Sequence, residues 1–239
     1  MTGMNLGPYK EFAKNKLGFE FNDIDLFVTA MTHRSYVNEH KKSAKQHNER
    51  LEFLGDAVLE LATTRFLFDN YDEAEGILTS WRSALVRTES IGEAGMALDY
   101  APLIRMSRGE KLGGEIAKLH IVANAFEALI GAIYLDQGYE TAEKFIQKNI
   151  LVKLDSILED ESWRDPKSYL QEISQKVDSQ TPQYKVISED GPDHDKTFEV
   201  GAYVAKKLLG KGTGTSKNMA QQNAAREALK TYSKNKSKK

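Results

Sequence analysis

Residues 48–56, Asn48-Glu49-Arg50-Leu51-Glu52-Phe53-Leu54-Gly55-Asp56, carry three carboxylates at spacings of three and four. At about 100° per residue a helix sets Glu49, Glu52 and Asp56 within roughly 60° of one another and Leu51, Leu54, Val58 and Leu61 nearly opposite. Converging carboxylates repel, so a helix that holds them on an apolar body calls for a counter-cation. Oxygen donors alone favour a hard ion such as Mg²⁺. The bland alternative is a solvated acidic face, which lysines scattered among the acids would favour.

A second pattern supplies the other half of such a site. Residues 121–135 are apolar almost all round, which predicts a core helix, and Asn124 and Glu127 are its only polar interior members. Spaced i, i+3, they share a face. A buried Glu needs a cation, a hydrogen-bond network or water. The acidic helix can complete a cation site around it; a local Asn–Glu hydrogen bond plugging the core is the alternative.

These residues, with Thr32-His33-Arg34-Ser35 before the acidic run, Glu75-Gly76 after it and Glu127-Ala128-Leu129-Ile130-Gly131 closing the second helix, resemble bacterial ribonuclease III over most of residues 5–150. Several long, ordered motifs make the match more specific than any short pattern. The resemblance implies an endoribonuclease, a hydrolase that cuts double-stranded RNA with Mg²⁺, or Mn²⁺ as a substitute, and leaves 5′-phosphate and 3′-hydroxyl ends. Ribosomal and other structured RNA precursors would be its substrates. Glu52, Asp56, Asn124 and Glu127 would hold metal, Asp56 and Glu127 being the most important. Glu49 and Glu75 would be further catalytic acids beside the substrate, and His33 and Arg34 would brace the fold.

Relatives usually have Asp where this chain has Asn124. An amide oxygen still ligates, but a negative charge is lost and Mg²⁺ affinity should fall. A second function follows from that departure: a duplex-RNA-binding dimer whose cleavage is impaired. Five of the six expected positions remain acidic, which favours the enzyme. Cutting both strands calls for a two-fold homodimer, and the resemblance makes Phe53 a subunit contact; an ordinary core phenylalanine is the alternative.

The elements that must position these groups are mostly helical. Residues 8–17, 24–31, 50–71, 79–97 and 118–135 have helical period, no β-rich alternation competes, and the first domain, 5–158, should be all-α. A chain of 239 residues with 40% hydrophobic content can bury two modest cores. No apolar run reaches membrane length, and the N-terminus has neither the basic flank nor the apolar stretch of an export signal. With no cysteine, neither disulfides nor thiolate metal sites are expected. A cytoplasmic location fits, and no membrane partner is expected.

The net charge of −2 conceals an asymmetry: residues 1–163 hold 18 Lys+Arg against 26 Asp+Glu, and residues 164–239 hold 15 against 9. The acidic part can concentrate metal while the basic part is drawn to phosphate. Charge and Pro166 mark residues 159–165 as a linker. Beyond it, a helix at 167–175, strands at 183–189, 196–203 and 206–214, and an Ala-rich helix at 218–232 give the order α-β-β-β-α. With the Gly191-Pro192-Asp193-His194 hairpin and Gly212-Thr213-Gly214-Thr215-Ser216-Lys217 before the last helix, this stretch resembles a small α+β double-stranded RNA-binding domain over 166–234.

Such a domain reads shape, because A-form RNA shows 2′-hydroxyls in a shallow minor groove and hides its base edges in a narrow major one. By resemblance, Gln171, Glu172 and His194 meet minor grooves, while Lys217, Asn218 and the N-terminus of the last helix meet the phosphates between. Relatives commonly carry two adjacent basic residues where this chain has Lys217 and Asn218, with Gln221 further on. The phosphate clamp is therefore thinner, and Lys206, Lys207, Lys211 and the terminal lysines are candidates to compensate. Residues 235–239 are expected to be a basic disordered tail, at the end of a low-complexity segment that begins at Ser233.

Overall fold

The computed structural model describes residues 5–41, 46–192 and 196–236. It divides into two compact units, Met1–Trp163 and Arg164–Lys239.

In the first unit α1 (Gly7–Phe12) runs on as a π-helical segment, Ala13–Leu17. Next come α2 (Ile24–Ala30), α3 (Arg34–Glu39), α4 (Glu49–Asn70), α5 (Glu75–Val86) and α6 (Thr88–Leu98). After them stand the short α7 (Arg108–Lys111), the 23-residue α8 (Glu115–Gln137), α9 (Tyr139–Asn149) and α10 (Leu154–Glu159). Among its described residues the only strand-like pairing is the bridge between Thr32 and Arg105, so the unit is all-α.

The single helix expected over 79–97 is two helices. Arg87 is extended, with φ −68° and ψ 150°, and accepts the first hydrogen bond of α6 from Ile91 N–H. The reason is rotational phase. In one straight helix Ser90 and Ala94 would point more than about 130° away from Trp81, yet all three are buried. Breaking at Arg87 lets both segments face the core.

α8 packs against α2, α4, α6 and α9 and forms the centre of that core. Ala125, Phe126, Leu129, Ile130 and Ile133 are fully buried. The expectation that nothing reaches membrane length needs correction: α8 is long and apolar enough by composition, with a mean hydropathy of 1.5 over 18 residues. Asn124 and Glu127 interrupt the apolar run without lowering its average enough to hide it. Here the protein's own helices cover it instead.

The second unit opens with α11 (Pro166–Asp178), followed by an antiparallel sheet in the order β1 (Gln183–Asp190), β2 (Thr197–Val204), β3 (Lys207–Gly214), and then α12 (Lys217–Lys236). Asp165 caps α11 by accepting from Ser168 N–H at 2.8 Å, and Pro166 takes the first helical position, where no amide donor is needed. Leu170, Val200, Ala202, Ala220, Ala224, Ala225 and Ala228 make the core. Alanines suffice because β3 meets α12 through Gly210, Gly212 and Gly214, where a Cβ would strike the helix. α12 extends into the segment expected as tail. Ser233, Lys234 and Asn235 include no glycine or proline, so the helix propagates through them to Lys236.

Candidate active site

Two glycines bring the acids together. A Cβ on Gly55 of α4 would drive into the carbonyl oxygen of Glu127, and one on Gly131 of α8 into that of Leu51. With no side chain at either place the two backbones touch, and the residues flanking the contact, Glu52 and Asp56 on one helix and Glu127 on the other, share an edge. The start of α4 is fixed as well. Asn48, only 1% exposed, donates its N–H to Thr32 O at 2.9 Å and accepts that of Glu52 at 2.8 Å.

Proximity shows in the electrostatics. Glu127 is pushed up to about 8, first by burial and then by the charges of Asp56 and Glu52. Glu52 is raised too, by burial and then by Glu49 and Asp56. The buried Tyr100 is raised by burial and by Glu127, and its hydroxyl donates to Val122 O at 2.7 Å. Among the described residues no side-chain hydrogen bond joins Asn124 to Glu127, so the Asn–Glu plug does not account for the buried acid. As the side chains stand, no three His, Asp or Glu groups among the described residues close on one point. Even so, three mutually repelling carboxylates, with burial raising one of them, suit a hard divalent cation, which would relieve the repulsion.

The remaining acids stand apart from this cluster. Glu49 is drawn outward by Arg34, 3.5 Å away, and His47, 3.7 Å away, although Glu52 still feels its charge. Arg34 is thus exposed and paired rather than a brace. His33 does brace: its N–H donates to Arg105 O at 2.9 Å, and its ring accepts from Ser35 N–H at the start of α3. Glu75 begins α5 beyond the far end of α4, about 20 Å along the helix axis from Asp56. It lines a cavity of about 750 Å³ with Phe68, Asp72 and Arg82.

In the second unit Gln171 and Glu172 are exposed on α11, and Lys217 and Asn218 are exposed in the first turn of α12. His194 lies outside the described residues. Lys217 Nζ pairs with Glu189 at 2.8 Å, and Lys211 with Glu199 at 3.3 Å. The hydrogen bond from Lys217 is the main reason the Glu189 carboxyl is held below its usual range.

A family model described as Ribonuclease-III-like matches residues 23–154, and one for the double-stranded RNA binding motif matches residues 166–232. The chain is 42% identical to Ribonuclease 3 of Desulforamulus reducens over 90% of its own length and 88% of that protein's. The chain belongs to the ribonuclease III family. Ribonuclease 3 of Listeria welshimeri is 40% identical, with 92% of this chain and 96% of that protein covered. The nuclease domain of ribonuclease III from Campylobacter jejuni superposes with a TM-score of 0.52 at 40% identity, over 61% of this chain and 98% of that one. Members of the ribonuclease III family are metal-dependent endoribonucleases.

Within the ribonuclease III nuclease unit, the structure also exposes a surface that periodicity mis-assigned. Leu61, expected on the apolar side with Leu51 and Val58, is 58% exposed, and Phe53 and Phe68 are 81% and 77% exposed. With Ala57 they form a stripe along α4, between the acids and the buried face. Leu61 sits about 60° from Val58 around the helix, far enough to leave the core. Phe53 is therefore no core residue. Sequence reasoning missed Glu189 altogether, because its link to Lys217 depends on strand register rather than on any local spacing.

Proposed function

We propose that this ribonuclease III cleaves double-stranded RNA with Mg²⁺ bound by Glu52, Asp56, Asn124 and Glu127. The observation that carries the reading is the close contact of α4 and α8 at Gly55 and Gly131, which sets Glu127 near Asp56 and Glu52 so that burial and their charges raise it to about 8: ionising all three acids there is expensive, and a bound cation would offset that cost. Bound there, the ion supplies an activated water and stabilises charge building on the scissile phosphate. Mn²⁺ suits the same oxygen donors.

Asp56 and Glu127, on facing helices, would be the principal residues holding the ion. Glu52 adds charge from one turn before Asp56, and Asn124 gives a neutral oxygen one turn before Glu127. Glu49, restrained by Arg34, and Glu75, beyond the end of α4, are substrate-side acids outside the ligand set. The second unit holds the duplex by its shape through Gln171, Glu172, His194, Lys217 and Asn218. The Phe53, Leu61 and Phe68 stripe is the homodimer contact, since an exposed apolar row on a rigid helix is suited to a self-complementary two-fold interface. A solved relative from Campylobacter jejuni is described by its flexibility in the region involved in dimer formation. The substrates are structured precursors such as those of ribosomal RNA, and the location is the cytoplasm. A binder without cleavage is not favoured, because the acids at the α4–α8 contact are retained.

The test is cleavage of a long RNA duplex by the full chain and by Glu127→Gln in Mg²⁺. The parent should release fragments with 5′-phosphate and 3′-hydroxyl ends. The variant should cut at least about a hundredfold more slowly while binding duplex within about twofold, since it alters a ligand in one unit and leaves the other alone. Residual cleavage within tenfold of the parent would reject the assignment of Glu127.

A further inference from the structure

Lys217 opens α12, and its ammonium is fixed from two sides. Nζ lies 2.8 Å from the Glu189 carboxylate and 5.3 Å from the centre of the Phe198 ring. Both partners come from the sheet. Glu189 stands opposite Phe198 in the β1–β2 register, one pair before the strands part at Asp190 and Thr197. The pair is exposed on both sides, with side-chain accessibilities of 56% for Lys217 and 39% for Glu189. Ion pairs so wet contribute little to holding a fold together, so its effect must be sought in what it does to the lysine.

A free lysine side chain samples many rotamers, and binding a phosphate freezes it. Here the carboxylate and the ring have already confined it. An ammonium carries three N–H donors, and Glu189 occupies one, which leaves two for phosphate oxygens. The carboxylate also repels an approaching phosphate, but the ammonium attracts each anion at a shorter distance than the two anions stand apart, so the attraction outweighs the repulsion. The next residue, Asn218, is uncharged, so the first turn of α12 depends on Lys217 for its positive side chain.

We propose that Glu189 is a positioning residue for duplex RNA, holding the Lys217 ammonium in the conformation that receives a backbone phosphate. This rests on the reading that Lys217 meets phosphate. Glu189 acts through Lys217 and touches no RNA atom itself. It makes the single cation of this turn a preorganised contact.

Binding of a fluorescent RNA duplex to the full chain, titrated without divalent metal over a range of salt, tests this with Glu189→Gln, Glu189→Asp, Lys217→Met and the Glu189→Gln/Lys217→Met double variant. Glu189→Gln should weaken binding about three- to fivefold, as expected for releasing one side chain, and keep the salt slope of the parent. Glu189→Asp should restore affinity to within about twofold, because the charge returns. Lys217→Met should lower the slope by about one, and adding Glu189→Gln to it should change affinity by less than about twofold. Equal or tighter binding by Glu189→Gln overturns the proposal, as does an equal loss in both backgrounds. If Lys217→Met changes neither affinity nor slope, the phosphate reading of Lys217 falls and the proposal falls with it. If Lys217→Met weakens binding while Glu189→Gln does not, only the proposal falls.

Discussion

The two units use the same packing device for opposite electrostatic ends. In the nuclease unit Gly55 and Gly131 let two helices touch; in the duplex-binding unit Gly210, Gly212 and Gly214 let a helix rest on a strand. The close approach in the first unit forces like charges together, and burial raises Glu127 to about 8. In the second it leaves Lys217 and Asn218 exposed at the start of a helix, with opposite charges paired and the Glu189 carboxyl lowered. Chemistry on a phosphate needs charge held where it would not stay by itself, so the carboxylates are crowded at the α4–α8 contact. Shape recognition needs charge displayed to solvent, which costs little and tolerates substitution.

The comparison breaks most visibly at the glycines. Gly55→Ala should destabilise the nuclease unit by about 3 kcal/mol or more, because the added methyl meets the backbone of α8, which cannot move without unpacking the core. Chemical denaturation followed by circular dichroism measures it, and a loss below about 1 kcal/mol would mean the helices separate easily.

The next effect is one of pH. The folded pKa of Glu127, about 8, lies above its unfolded value of about 4.3, so the native state binds this proton more tightly. Its contribution to stability is complete below pH 4.3 and is lost as pH rises through 8. In chelator, the parent should lose on the order of 3 kcal/mol relative to Glu127→Gln between pH 5 and pH 9. A difference independent of pH would show that Glu127 is ionised throughout.

Asn124 sharpens the contrast within the first unit. If it is a neutral oxygen ligand, Asn124→Asp should lower the Mg²⁺ midpoint for cleavage by roughly tenfold, equivalent to one unit of about 1.4 kcal/mol, with similar plateau rates. Equal midpoints with unequal plateaus would shift the role of the missing charge to activating water. The smallest effect belongs to the second unit. Asn218→Lys should tighten duplex binding about threefold at low salt and steepen the salt slope by about one, with cleavage at saturating RNA unchanged.

The acids of α4 and the polar pair of α8 were legible because helical period is local: spacing alone put Glu49, Glu52 and Asp56 on one face and Asn124 with Glu127 on another. The order α-β-β-β-α was legible for the same reason. What periodicity could not convey was where a helix meets its neighbours. It aligned Leu61 with Leu51 and Val58 although the core ends between them, and it ran 79–97 together although burial of Trp81, Ser90 and Ala94 requires a break at Arg87. Nor could it reach Glu189 and Lys217, 28 positions apart, whose meeting depends on the register of β1 against β2 and the seat of α12 on β3.

The central place of α8 also has a consequence for how the chain is made. A ribosome adding about 5–20 residues per second completes α4 at Asn70 and reaches the end of α8, at Gln137, only several seconds later. Until then α2, α4 and α6 lack the helix they all pack on, and the groove at Gly55 stands open. α8 itself leaves the exit tunnel as a segment apolar enough to be mistaken for a membrane span. Until the waiting helices capture it, that apolar segment is open to other apolar partners, so slowing synthesis between residues 115 and 137 should lower the yield of folded enzyme more than slowing it within the last 76 residues.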